Sequence, residues 1–198
     1  MNNIICIAGP TASGKTALAV ELAKLTKGEV VSCDSMQVYK GMDIGTAKPT
    51  VEERQGIVHH MLDVAQPDED FSVSRYCEMA TPIVDDIIAR GKTAIIAGGT
   101  GLYMDSLIKG NDFAPTPATG HRERLEEKLN EVGLDAMAGR STVGDAIAQV
   151  QQSSRRYAKR QLTWFKRNRN IHWLLREPDM SADEIFSRAR QLVQNCDK

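Results

Sequence analysis

The chain has 198 residues, 41% hydrophobic and 26% charged, with a formal net charge of −1, which is enough apolar chain for one full-sized domain or two small ones, with a real core. No apolar run approaches the ~18 residues of a membrane-spanning helix, and Met1-Asn2-Asn3 leads straight into Ile4, so export and membrane insertion are excluded as working expectations. Cys6, Cys33, Cys77 and Cys196 are scattered with no Cys-x-x-Cys pair, which points to a reduced, cytoplasmic protein.

In chain order, residues 4–8 form a short apolar, β-branched run and predict a strand. Leu18, Leu22 and Leu25 recur at helical spacing, and residues 29–32 predict a second strand running into Asp34. From Tyr39 to Asp70 the composition is that of loop and short helix, with one strand expected at residues 61–64. Ser72 or Ser74 is expected to cap a helix that runs to Arg90 and ends at Gly91. A buried strand over residues 93–97 then leads into Gly98-Gly99-Thr100-Gly101 and a helix start. Pro115 and Pro117 mark a linker, followed by a charged helix over 121–132. A long helix is expected over 143–165, a final strand over 171–175 and a closing helix over 182–193. The alternation predicts an α/β fold, a P-loop NTPase-like parallel sheet with helices on both faces, in a single core over 1–198.

Gly9-Pro10-Thr11-Ala12-Ser13-Gly14-Lys15-Thr16 fits G-x-x-x-x-G-K-[ST], between the strand and the helix that its mechanism needs. Inward-pointing amides, the helix amino terminus and the Lys15 charge suit a diphosphate or triphosphate, and the Thr16 hydroxyl suits Mg2+. A chance match in a chain this long is on the order of a per cent. The phosphate loop does not itself define a reaction. Nucleotide-hydrolysing relatives of the motif place a metal-organising acid after a later strand, whereas here that strand ends Ala97-Gly98-Gly99 and the carboxylate follows the second strand, as Asp34. Asp34 is suited to hold a metal, cap a turn or act as a base.

Residues 154–170 hold seven cations, among them Arg155, Arg156, Lys159 and Arg160, and no acid, leaving −8 on the rest of the chain. Arg155 with Lys159, and Arg156 with Arg160, are i,i+4 pairs that line adjacent helix stripes. Such stripes bind a phosphate backbone by charge, the alternative being a solvated helix face. Adjacent His59 and His60 lack the spacing of a zinc site.

Four blocks stand in order behind the phosphate loop. They are Cys33-Asp34-Ser35-Met36-Gln37-Val38-Tyr39, residues 41–49, Gly98-Gly99-Thr100-Gly101-Leu102-Tyr103, and residues 154–165 with Gln161 among them. Together they closely resemble the tRNA isopentenyltransferase (tRNA dimethylallyltransferase) family over roughly 4–108 and 143–173. The resemblance implies transfer of a dimethylallyl group from dimethylallyl diphosphate to N6 of the adenine beside the tRNA anticodon, with Mg2+ and release of diphosphate. It implies that Asp34 is the base and that Lys15 and Thr100 join it in catalysis. Residues Gly9, Pro10, Thr11, Ala12, Ser13, Gly14, Lys15 and Thr16 would bind the diphosphate. Asp34, Ser35, Met36, Gln37, Thr100, Arg122, Arg155, Arg156, Lys159, Arg160 and Gln161 would face tRNA. The expected partners are tRNA and the prenyl donor, with no membrane and a monomeric chain.

The sequence departs from the family in one place. The large helical insertion that clasps the anticodon arm is absent between about 134 and 142, and residues 138–141 read as a join. A deletion, omitted residues or a natural minimal form would each produce it. The alternative functions are a small-molecule P-loop phosphotransferase, or an impaired core that only binds diphosphate or tRNA.

Overall fold

The computed structural model describes residues 4–110 and 143–196, apart from 176 and 178. The linker, the charged helix with Arg122, and the join expected at 138–141 lie outside the described residues. The chain divides into two compact units, residues 1–111 with 160–198, and residues 112–159.

In the first unit, four parallel strands, β1 (Ile4–Ala8), β2 (Glu29–Ser32), β3 (His59–His60) and β4 (Ala94–Gly98), lie in the order β1-β4-β2-β3. Ile4 pairs with Ala94 and Ala8 with Gly98, while Val30 pairs with Ile95 and Val31 with Ile96. This register divides the apolar side chains between two faces, because alternate strand residues point opposite ways. Ile7, Val30 and Ile95 pack against Ala19, Leu22 and Ala23 of α1 (Lys15–Thr26). Val31 and Ile96 pack on the other side, against Tyr76, Ala80, Val84 and Ile87 of α3 (Val73–Ala89) and Tyr103 and Met104 of α4 (Gly101–Lys109). Between them in sequence, α2 (Val51–Arg54) is a single turn closed by a capping box from Thr50 to Glu53. The expected fold, a parallel α/β sheet covered on both faces, is the one observed.

The long helix α5 (Val143–Phe165) has the bounds read from sequence, and the closing helix α6 (Ala182–Cys196) runs three residues further than expected. Ser72, rather than Ser74, caps α3, its hydroxyl accepting from the Arg75 amide at 3.2 Å. Two strand expectations fail. Residues 61–64 contain Met61 and Asp63 at φ 61° and 57°, left-handed conformations that interrupt a strand, so pairing occurs two residues earlier at His59–His60. Residues 171–175 hold no regular structure. Ile171 packs into the core on one face of the sheet and Leu174 into the core on the other, so the segment crosses between faces instead of joining the ladder. Cys6, Cys33 and Cys77 are free thiols. Among the described residues no helix is long and apolar enough to cross a membrane.

Glu29 opens β2 at the end of the sheet remote from the phosphate loop, and only 4% of it is exposed. Arg90 pairs with both of its oxygens at 2.5 and 3.0 Å, Lys92 donates at 2.7 Å, and His60 Nε2 lies 2.8 Å away. The Arg90 hydrogen bonds, reinforced by Lys92 and His60, outweigh desolvation and hold the Glu29 carboxyl well below the usual carboxylate range. A depressed folded-state pKa stabilises the fold above the unfolded value, about 4.3, and the contribution fades as pH falls toward the folded value. Glu29→Gln is therefore expected to cost about 2 kcal/mol at pH 7. The gap from wild type should close progressively below about pH 4 in denaturant titrations. A pH-independent gap would assign the loss to packing instead.

Candidate active site

All the chemistry-bearing loops leave the carboxyl ends of parallel strands, where open α/β sheets gather ligands. β1 runs directly into residues 9–16, and Gly14, at φ 84°, caps α1. Ala12 is also left-handed, at φ 63°, a conformation that is uncommon for a residue with a side chain. The side chain of Lys15 curls over this loop, its Nζ donating to Pro10 O at 2.7 Å. Burial pulls the Lys15 pKa down and the Asp34 carboxylate opposes the shift. Charge of the two signs thus faces one cleft of about 140 Å3, whose walls include the loop from Thr11 to Thr16, Asp34 and Gln37.

The position of Asp34 follows from how β2 ends. Cys33 N donates to Ala97 O at 2.8 Å and Thr100 N to Cys33 O at 3.2 Å, which latches the chain after β2 to the turn after β4. A Cβ at Gly98 would fall 2.0 Å from Cys33 O, so only glycine permits this approach. Asp34 Oδ1 accepts from Met36 N at 2.9 Å. The carboxylate therefore caps its own turn while lining the cleft, two of the three roles left open by the sequence being compatible at this place. Thr100 Oγ1 accepts from Ser35 N at 2.9 Å and donates to Ser35 Oγ at 3.2 Å. The strand-end wall of the cleft is formed by Ala97 and Gly98, with the Thr100 hydroxyl tied to Ser35 beside it. Met36 is 43% exposed.

Two of the side chains expected to face tRNA make hydrogen bonds inside the protein. Gln37 Nε2 donates to Thr46 O and Ala47 O at 3.1 and 3.2 Å, and its Oε1 accepts from Ser32 Oγ at 3.0 Å. Its amide braces the Thr46–Ala47 wall of the cleft. Gln161, 5% exposed, accepts from Thr11 N and donates to Gly99 O. It too is an internal brace, because a buried amide is satisfied at both ends only by fixed partners. Arg160 is exposed in the first unit, and Arg155, Arg156 and Lys159 are exposed on α5 in the second.

Lys48 was not singled out for any role by the sequence, although it lies in one of the quoted blocks. Its side chain is 3% exposed, with Nζ donating to Tyr39 O at 2.7 Å and to Asp43 and Asp63 at 2.6 Å each. Burial alone would lower its pKa, but the hydrogen bonds to the two aspartates outweigh it and raise the pKa. This clamp fixes the loop that delivers Thr46 and Ala47 to the cleft. A lysine flanked by Asp43 and Asp63 was the available signal, but those acids are five and fifteen residues away in sequence.

Among the described residues no group of three or more His, Cys, Asp or Glu side chains is placed to hold a metal. The cleft is lined instead by the hydroxyls of Thr11, Ser13, Thr16 and Thr46 and the carboxylate of Asp34, an oxygen set of the kind that Mg2+ takes alongside phosphate oxygens and water.

The family described as IPP transferase matches residues 37–140 and 133–168. The tRNA dimethylallyltransferase of Acetivibrio thermocellus is 52% identical over 134 residues, covering 67% of this chain and 43% of that protein. The chain spans about half the length, or less, of the curated relatives it matches. The crystal structure of the full-length tRNA isopentenylpyrophosphate transferase of Bacillus halodurans superposes with a TM-score of 0.83 at 28% identity, covering 98% of this chain and 96% of that one. The Staphylococcus epidermidis tRNA delta(2)-isopentenylpyrophosphate transferase gives 0.80 at 29% identity, covering 97% and 98%. With most of its length matched by the family pattern and its fold shared with these transferases, this chain belongs to the IPP transferase family.

Proposed function

We infer that this chain is a tRNA-modifying prenyltransferase core, moving a dimethylallyl group from dimethylallyl diphosphate to N6 of the adenine next to the anticodon. The observation that carries the reading is the placement of Asp34 in the same cleft as Lys15 and the phosphate loop. In the reaction, the bond between the prenyl carbon and the bridging oxygen breaks with its electron pair leaving on diphosphate. The N6–carbon bond forms, and the N6 proton passes to the Asp34 carboxylate. The loop amides and Lys15 stabilise the charge that develops on the leaving group. Thr16 would hold Mg2+, which supplies further neutralisation of the diphosphate when bound. Thr100 sets Ser35 and the start of the adenine-facing segment through its two hydrogen bonds.

The reading includes a cytoplasmic, monomeric protein and a family core shortened between about 134 and 142. The break of the family match into two stretches that meet at residues 133–140 supports the shortening. Arg155, Arg156, Lys159 and Arg160 are the expected contacts to the RNA backbone. The reading is tested by following diphosphate release from dimethylallyl diphosphate and Mg2+, with and without tRNA. Release that requires tRNA supports it. ATP turnover with no prenyl donor, and no tRNA-dependent release, would instead identify a phosphotransferase.

A further inference from the structure

Gln161 joins two loops that are far apart in sequence. Its Oε1 accepts from Thr11 N at 3.1 Å inside the phosphate loop, and its Nε2 donates to Gly99 O at 3.0 Å in the turn after β4. The fit at the turn is close. A Cβ on Gly99 would fall 2.3 Å from Nε2 and 3.4 Å from Gly9 O, so the turn, the amide and the start of the phosphate loop share one space. The loop it grips includes Ala12 at φ 63°, a backbone state that alanine does not favour and that neighbouring structure must hold. Glutamine is suited to this place because its amide presents an acceptor and a donor from one planar group.

We propose that Gln161 is a positioning residue for diphosphate: by pinning the Thr11 amide to the Gly99 turn it sets the curvature of the phosphate loop, and it acts on diphosphate affinity and not as a tRNA contact. The inference rests on the proposed function only in taking diphosphate as the loop's ligand. Gln161→Met keeps the length of the side chain and removes both hydrogen bonds. Gly99→Ala displaces the same amide from the opposite side, so the two substitutions should act through one contact and fail to add.

The full chain and these variants are titrated with inorganic diphosphate and Mg2+ by calorimetry, with tRNA affinity measured in parallel by gel shift. Each single variant is expected to lose about tenfold in diphosphate affinity. The double variant should lose no more than about twofold beyond either. The tRNA affinities should stay within about twofold of wild type, a separation that general destabilisation would not produce. Unchanged diphosphate affinity in both single variants, additive losses, a parallel loss of tRNA binding, or no diphosphate binding by the wild type would each overturn the proposal. The readout needs no prenyl transfer, so an inactive wild type that still binds diphosphate would refute the transferase reading and leave this one standing.

Discussion

Asp34→Ala is expected to lower prenyl transfer by about 10²- to 10⁴-fold while diphosphate affinity changes little. The exocyclic amine of adenine is a weak nucleophile whose proton must leave as the new bond forms, and Asp34 is the carboxylate in the cleft beside the phosphate loop. Its removal leaves the Lys15–Pro10 hydrogen bond and the loop amides in place. The loss should therefore fall on the rate of transfer, with the donor KM nearly constant. Removing the cap on Met36 N also loosens the turn that follows. Asp34→Asn keeps that acceptor but cannot take a proton, and the two roles separate on it. An asparagine variant as inactive as the alanine variant assigns the loss to proton acceptance, and one with near wild-type turnover would remove Asp34 as the base.

The second large effect is on RNA affinity. Arg155→Glu with Arg156→Glu places two acids on an exposed stretch of α5 that carries cations and no acid. If these side chains meet phosphates, tRNA binding should weaken at least about tenfold and the slope of log K against log salt should fall by roughly 1.5. Diphosphate affinity should be unaffected if the phosphate loop alone holds that ligand. An unchanged salt slope would make this stretch a solvated helix face.

The parts of the molecule legible in the sequence are those written in local pattern. The phosphate loop announced itself by spacing, and the strand before it and helix after it formed as expected. Helix α5 was bounded correctly because its apolar residues repeat at helical spacing over 23 residues. The fine structure of the site was not legible, because its braces are contacts at long range. Gln161 and Thr11 are 150 residues apart, and nothing near either one marks the pairing. Gln37 stands in the block expected to face tRNA, and its bonds to the carbonyls of Thr46 and Ala47, nine and ten residues on, leave no local mark in the sequence. Glu29 read as an ordinary strand start, yet it is the hub of four hydrogen bonds from Arg90, Lys92 and His60. Residues 171–175 have the composition of a strand, but composition does not reveal that Ile171 and Leu174 anchor in different cores.

These braces share a physical logic. A cleft that holds a polyanion needs inward-facing amides and a cation, all of which repel one another until the ligand arrives. Lys48 fixes one wall through two carboxylates, Gln37 ties that wall to β2, and Gln161 ties the phosphate loop to the turn after β4. The site is thus held open by neutral and paired groups, and Lys15 with Asp34 is left as the charged pair facing the cleft.

The most direct test is to incubate the purified chain with Mg2+, dimethylallyl diphosphate and an unmodified tRNA bearing adenine next to its anticodon, digest the RNA, and identify the nucleosides by mass spectrometry. The account predicts N6-dimethylallyladenosine with the wild type and none with Asp34→Ala. Unmodified adenosine from a wild-type chain that binds both substrates, or a prenyl group on any other atom, would contradict it.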